Sequence, residues 1–198
     1  PYSSKGYYSA FIAMATRVTL SLYEASREGE LPVVMDTSPC TYKMKHYGDH
    51  LQGDTLEKWK ALTILDVVEF MHDQVMPNLD LKPIKGTAVL HPTCSTLKME
   101  QDEKMLAIGN ACAEHATIPD HHGCCGFAGD RGFLLPDLTA SATRPEAEEV
   151  RTLSAGAGHY SVSRTCEIGM SSSTGRPYSS IVHLLYQASP KTKGHKTK

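Results

Sequence analysis

Short apolar segments that each lead to a cysteine recur along this chain, and they constrain its fold more than any other feature. The segments are LPVVM, TAVL, ATIPD and HYSVSR. Helical patterns separate them along the chain. Because strands that alternate with helices pair in parallel, the sequence predicts an α/β fold with a mostly parallel sheet and helices on both faces.

The predicted helices carry apolar residues at helical spacing, as Phe11, Val18 and Leu22 show in the first of them. A glycine or proline stops several of them, as Pro77 does after the second. The predicted helices cover residues 7–28, 55–76, 98–115 and 145–155. HYSVSR is predicted to be the last strand, with Cys166 just past its end.

Five cysteines stand in loop-like contexts rich in Gly, Pro, Ser or Thr, after the predicted strands: Cys40, Cys94, Cys124, Cys125 and Cys166. Loops at the carboxyl ends of parallel strands meet at one edge of a sheet, where binding sites form. We therefore expect these thiols to converge. Thiolates are soft donors that suit iron–sulfur clusters and zinc, so the pattern predicts a metal centre.

The sixth cysteine, Cys112, has a different setting. It lies on a predicted helix with Met105 and Ile108 at helical spacing. A buried free cysteine behaves as a small hydrophobic residue, so Cys112 is predicted to belong to the core.

The segment DHHGCCGFAGDRG surrounds the adjacent cysteines with glycines. Gly123 and Gly126 would let backbone N–H groups approach a thiolate or sulfide, so both are candidate cofactor contacts. A phosphate-binding loop is disfavoured, because no Lys-Ser/Thr pair follows. The nearby His91, His121 and His122 are interpreted as ligands, proton carriers or ordinary polar loop residues. A mixed Cys/His zinc site would need one of them.

Composition excludes several function classes. The 198 residues carry a formal net charge of −2, which gives no basic field for nucleic acid. No apolar run approaches the ~18 residues that a membrane span needs. Few cysteines and no secretion signal favour a cytoplasmic protein, free or peripheral at the inner face of a membrane. Residues 189–198 are predicted to be a disordered basic tail.

GCCGFAG, with LHPTC before it and SRTCEIG after it, resembles the CCG cysteine-rich domain. That domain occurs in heterodisulfide reductase, in the glycolate oxidase iron-sulfur subunit, and at the C-terminus of FAD-linked D-lactate and related D-2-hydroxyacid dehydrogenases. PYSSKGYYSA, VVMDTSPCTYKMKHYG and TGRPYSSIVHLLYQA resemble further family segments. The resemblance covers residues 1–188, interpreted as one CCG domain and as a C-terminal piece of a larger chain.

The resemblance implies that Cys94, Cys124, Cys125 and Cys166 hold an iron–sulfur cluster of 4Fe-4S type, with Cys40 as a further ligand. It implies an electron-relay module of an FAD-linked D-2-hydroxyacid dehydrogenase, of the D-lactate type. FAD would lie in a flavin-binding domain or subunit outside this chain, which is then a partner. A quinone, cytochrome or protein would accept the electrons. This piece alone is not expected to oxidise a hydroxyacid.

One departure from the family pattern concerns the closing CxxC, which reads CEIG here, so Gly169 replaces its second cysteine. Two alternatives therefore stay open. The chain could be a zinc-binding structural or docking domain of the same complex, or a thiol switch in which Cys124 and Cys125 form a disulfide. An isolated half of a tandem CCG unit is also expected to self-associate through an exposed apolar face.

Overall fold

The computed structural model describes residues 2–154 and 156–190. It divides into two compact units, of which the first ends at Val67 and the second begins at Val68. The predicted basic tail lies, from Lys191 onwards, outside the described residues. That residues 1–188 act as one cysteine-rich domain stays a prediction.

The first unit pairs two short parallel strands and surrounds them with helices. Its elements are α1 (Tyr8–Ala25), β1 (Val33–Met35), α2 (Ser38–Lys45), α3 (Gly53–Ala61) and β2 (Ile64–Asp66). The predicted first helix is confirmed as α1. Phe11 and Ala15 from α1 form its core with Leu51, and Trp59 of α3 packs against them.

The predicted helix over residues 55–76 is wrong in its middle. Helix α3 ends at Ala61, and Ile64–Asp66 instead forms β2, which pairs in register with Val33–Met35. Helix α4 (Val67–Phe70) follows and continues as a π-helical turn over Met71–Val75. A short apolar run fits a buried strand and a helix equally well by periodicity alone, and here the backbone partner in β1 decides.

The second unit is built on a four-stranded sheet in which every pair of neighbours is parallel. Its strands are β3 (Ile84–His91), β4 (Ala113–Thr117), β5 (Gly158–Ser161) and β6 (Tyr178–Ser180), in the order β4-β3-β5-β6. Helices flank this sheet, so the predicted α/β class is confirmed. HYSVSR is not the last strand, because β6 adds an edge strand after it.

The helices of the second unit alternate with its strands. After α4 they are α5 (Cys94–Lys98), α6 (Asp102–Cys112), α7 (Arg131–Leu134), α8 (Pro136–Thr152), α9 (Arg164–Thr174) and α10 (Ile181–Ala188). The helix predicted over 98–115 is correct in type, but α6 begins only at Asp102 and ends at Cys112, because Ala113–Thr117 forms β4.

The helix predicted over 145–155 is correct in type but begins earlier, at Pro136, and Ala155 lies outside the described residues. Pro136 occupies a first-turn position, which favours proline. Pro145 lies inside the helix, where the burial of Ala147 and Val150 offsets its missing N–H donor.

The strand order creates a switch point between β3 and β5. From β3 the chain continues to β4 on one side, and from β5 it continues to β6 on the other. Connections that diverge in this way leave a crevice at the carboxyl ends of the two central strands, and ligands bind there in open α/β sheets.

Candidate metal centre

Cys94 lies at this switch point, directly after the central strand. Strand β3 ends at His91, and Thr93 caps α5 by accepting a hydrogen bond from the backbone N–H of Thr96 at 3.1 Å. The sequence predicted a loop at Cys94, but this residue is the first of helix α5. Its side chain is exposed.

Cys166 follows the neighbouring strand β5. It was predicted just past a strand in a loop, but it lies in the first turn of α9. Cys125 reaches it from the segment after β4, and their Sγ atoms are 2.9 Å apart. Both side chains are only 5% exposed and pack with Phe127 and Ile168. Three different strand ends thus contribute thiols to one edge of the sheet.

Cys124 occupies the outer side of this group and is exposed. Its Sγ accepts a hydrogen bond from the backbone N–H of Gly126 at 3.4 Å. Burial, together with the charges of Cys94 and Cys125, raises the pKa of Cys124 despite that hydrogen bond. Cys94 and Cys124 also act electrostatically on Cys166. The structure therefore brings together the four predicted thiols of the second unit.

A hydrogen bond joins the buried thiols of Cys125 and Cys166. Cys125 carries the lowered pKa, because the Cys166 thiol donates to it and the imidazole of His91 stabilises its charge. The pKa of Cys166 is raised by that same hydrogen bond and by burial. A thiolate is the form that binds metals, so Cys125 is prepared as a ligand in the metal-free chain.

His91 is fully buried beneath the thiols and paired with Glu146 of α8. Its Nδ1 lies 2.8 Å and 2.9 Å from the two carboxylate oxygens. Burial lowers the pKa of His91, but the neighbouring Cys125 and Glu146 side chains outweigh it and raise the pKa to about 9. The sequence drew attention to His91 as a loop residue. It gave no signal for Glu146, whose partner lies 55 residues away along the chain.

The other two candidate histidines point elsewhere. His121 is exposed, and its Nδ1 lies 3.0 Å from a carboxylate oxygen of Glu149. The Nδ1 of His122 lies 2.7 Å from the carbonyl oxygen of Pro119. His121 therefore contacts α8, whereas His122 contacts its own loop.

The two candidate glycines differ in what surrounds them. Gly126 has a φ of +69°, and a Cβ there would lie 2.7 Å from the carbonyl oxygen of Leu138. A Cβ at Gly123 would meet nothing within 4 Å. Gly126 is therefore required by the backbone conformation and by the close approach of α8, whereas Gly123 leaves open space beside Cys124.

Gly169, which stands where the pattern that the sequence resembles has a cysteine, lies on α9 beside the buried thiols. A Cβ there would be 3.2 Å from Phe127 and from the Thr139 side chain, and 3.6 Å from the carbonyl oxygen of Cys125. A side chain at this position would thus sit next to the candidate centre, but the neighbouring side chains partly fill the space.

The remaining two cysteines do not belong to this group of thiols, since Cys112 lies in the core of the second unit and Cys40 lies in the first unit. Cys112 is fully buried on α6, as predicted, and burial raises its pKa to about 11. Cys40 was predicted in a loop but lies within α2 of the first unit, where it is exposed. Its participation as a further ligand stays a prediction.

The donors that meet here are thiol sulfurs, which both iron–sulfur clusters and zinc accept. Among the described residues, no three His, Cys, Asp or Glu side chains are placed to hold one metal ion. A structural zinc ion needs all its sulfur ligands at about 2.3 Å. An iron–sulfur cluster also takes cysteine thiolates as its ligands, one for each iron at its corners.

Comparisons with known proteins give distant similarities. No protein-family model matches the chain. It is 28% identical over 125 residues to the glycolate oxidase iron-sulfur subunit of Escherichia coli, covering 59% of this chain and 30% of that protein. It is 24% identical over 143 residues to the protein YkgE of Escherichia coli, covering 69% of this chain and 60% of that protein.

The chain thus spans less than two thirds of the length of either relative. The first of them is named as an iron-sulfur subunit, so the similarity supports the resemblance to CCG cysteine-rich proteins in a general way.

Proposed function

We propose that this chain is the cluster-binding, electron-relay part of an iron–sulfur protein that serves the oxidation of a 2-hydroxyacid. The observation that carries the proposal is the convergence of thiols from three strand ends at the switch point of a parallel sheet. Distant similarity to the glycolate oxidase iron-sulfur subunit supports an iron–sulfur electron-transfer role.

Cys94, Cys124, Cys125 and Cys166 would hold the cluster, which we propose to be of 4Fe-4S type. When bound, such a cluster accepts and returns single electrons. Cys125 supplies a preformed thiolate, which the Cys166 thiol and the imidazole of His91 stabilise. Phe127 and Ile168 cover the inner thiols and exclude water from that side.

The outer side of the site is where electrons would enter or leave. Cys94 and Cys124 are both exposed there. The partner would be a flavin-binding domain or subunit that takes electrons from the hydroxyacid, with a quinone, cytochrome or protein as the final acceptor. D-lactate is the substrate that the resemblance favours. None of the described helices is long and apolar enough to cross a bilayer.

Electron uptake by the reconstituted chain tests this function. Photoreduced deazaflavin, a flavin-type donor, is expected to bleach the visible absorbance of the chain, and a water-soluble quinone is expected to restore it. A zinc-binding structural domain would take up no electrons in this experiment. A chain that binds iron and sulfide but is not reduced by the donor would contradict the relay role.

A further inference from the structure

We infer that the imidazole of His91, held in place by Glu146, donates a hydrogen bond to the Cys125 sulfur and thereby raises the reduction potential of the cluster. The inference rests on the proposed function, because Cys125 is one of the ligands proposed above. It gives the buried His91–Glu146 pair a role that the pattern of cysteines in the sequence does not indicate.

Both the backbone and the ring of His91 are fixed in the structure. Its backbone carbonyl oxygen, at the end of β3, accepts a hydrogen bond from the Ser161 hydroxyl of β5 at 2.8 Å. Its Nδ1 lies 2.8 Å and 2.9 Å from the two carboxylate oxygens of Glu146. The side chains of His91 and Glu146 are 0% and 2% exposed, so water does not compete for this contact. Glu146 therefore sets the orientation of the ring.

That orientation turns the other ring nitrogen towards Cys125. The imidazole of His91 forms a hydrogen bond with the Cys125 side chain. Because Glu146 occupies Nδ1, Nε2 is the nitrogen that faces the sulfur. A carboxylate and a thiolate only accept hydrogen bonds, so each ring nitrogen carries a proton and donates it. His91 thus bridges a carboxylate of α8 and a sulfur of the candidate centre.

The hydrogen bond from His91 is one that cluster binding leaves in place. In the metal-free chain the Cys166 thiol also donates to Cys125, across 2.9 Å between the two sulfurs. Cluster binding removes that proton, because cysteine binds metals as the thiolate. The imidazole of His91 and the backbone N–H of Phe127 then remain as donors to the Cys125 sulfur.

A hydrogen-bond donor at this sulfur favours the reduced form of the cluster. Reduction adds a negative charge that the ligand sulfurs share, and hydrogen bonds to those sulfurs are among the factors that set the potential. A hydrogen bond is stronger where water is excluded, and Cys125 is only 5% exposed, with Phe127 packed against it. We therefore expect the potential to be higher with His91 than without it.

The reduction potential of the reconstituted chain tests the inference. The double variant His91→Leu/Glu146→Leu removes the donor without leaving one charge of a buried pair uncompensated. The pair that it removes has no net charge, so the loss of the hydrogen bond dominates the change in potential. We expect the equilibrium constant for reduction to fall tenfold or more, which for one electron is a fall in potential of about 59 mV.

His121→Gln is the matched control for the double variant. His121 also pairs with a glutamate of α8, at 3.0 Å from Glu149, but its side chain is 67% exposed. We expect the potential of His121→Gln to equal that of the wild type. An equal fall in His121→Gln and in the double variant would overturn the inference, because it would assign the effect to any histidine near the loop.

Nuclear magnetic resonance of the metal-free wild type, labelled with ¹⁵N at histidine, gives a second readout. The ¹⁵N chemical shift distinguishes a protonated ring nitrogen from a bare one. At pH 7 we expect protons on both ring nitrogens of His91, since both face acceptors. A bare Nε2 would overturn the inference without any measurement on the cluster.

The outcomes separate the inference from the proposed function. A wild type that takes up no iron overturns both. A wild type and a double variant that bind iron equally and have the same potential overturn the inference alone. Should the double variant fail to fold or to bind iron, the protonation of Nε2 in the metal-free wild type decides.

Discussion

The two halves of the GCCG segment lie in opposite environments although they are adjacent in sequence. On the outer half, Cys124 is exposed and Gly123 borders open space. On the inner half, Cys125 is 5% exposed and Gly126 packs closely against α8. The two adjacent thiols therefore lie in different environments: that of Cys125 is in the protein interior, and that of Cys124 faces the solvent.

Helix α8 carries two glutamates about one turn apart, Glu146 and Glu149, and each pairs with a histidine. Glu146 points inward to His91, with side-chain exposures of 2% and 0%, whereas Glu149 meets the exposed His121. The Nδ1 to oxygen distances are similar, 2.8 Å and 3.0 Å. The two ion pairs have similar distances, but we expect them to contribute differently to the free energy of unfolding, because only the Glu146–His91 pair is shielded from water.

The largest effect is expected from Glu146→Ala. Removing one partner of a buried pair leaves the other uncompensated, so we expect a loss of about 3–5 kcal/mol in the free energy of unfolding. Urea unfolding of the metal-free chain measures it. A loss below about 1 kcal/mol would show that the inner pair is no more shielded than the outer one.

Gly126→Ala is expected to cost about 2 kcal/mol, because it combines a left-handed backbone with a Cβ that collides with α8. The same urea experiment on Gly123→Ala provides the control, for which we expect a change within about 0.5 kcal/mol. Equal losses in the two variants would contradict the division into a packed half and an open half.

Oxidation of the metal-free chain distinguishes the adjacent thiols of Cys124 and Cys125 by the disulfide that each one forms. Diamide removes two electrons and two protons from two thiols to form a disulfide. We expect Cys125 to link to Cys166, whose Sγ lies 2.9 Å away, and not to Cys124. Peptide mapping by mass spectrometry identifies the bond. A predominant Cys124–Cys125 disulfide would restore the thiol-switch alternative.

The smallest effect is expected from His121→Ala, which removes the outer ion pair but keeps the hydrogen bonds that Glu149 accepts from the backbone N–H groups of residues 120 and 121. The imidazole of His121 is exposed, and exposed ion pairs contribute about 0–1 kcal/mol. The variant should lose about 1 kcal/mol or less in urea unfolding and should bind the same amount of iron as the wild type. A loss as large as that of Glu146→Ala would remove the contrast between the two ion pairs.

The sequence predicted the parts of the fold and site that depend on local pattern. Alternating helices and strands indicated a parallel α/β fold, and cysteines at strand ends indicated their convergence. It missed β2, because a run such as Thr63–Leu65 fits a helix as well as a strand until its partner strand is known. It also missed Glu146, since one acidic residue on an amphipathic helix does not reveal which buried group it meets.

The iron and acid-labile sulfide content of the chain, purified and reconstituted without oxygen, tests the central claim most directly. We predict iron and sulfide near four per chain in the wild type, as a 4Fe-4S cluster requires. Cys125→Ser should lose them, and Cys112→Ser, a buried thiol outside the site, should retain them. One zinc per chain without iron, or a full iron content in Cys125→Ser, would contradict the account.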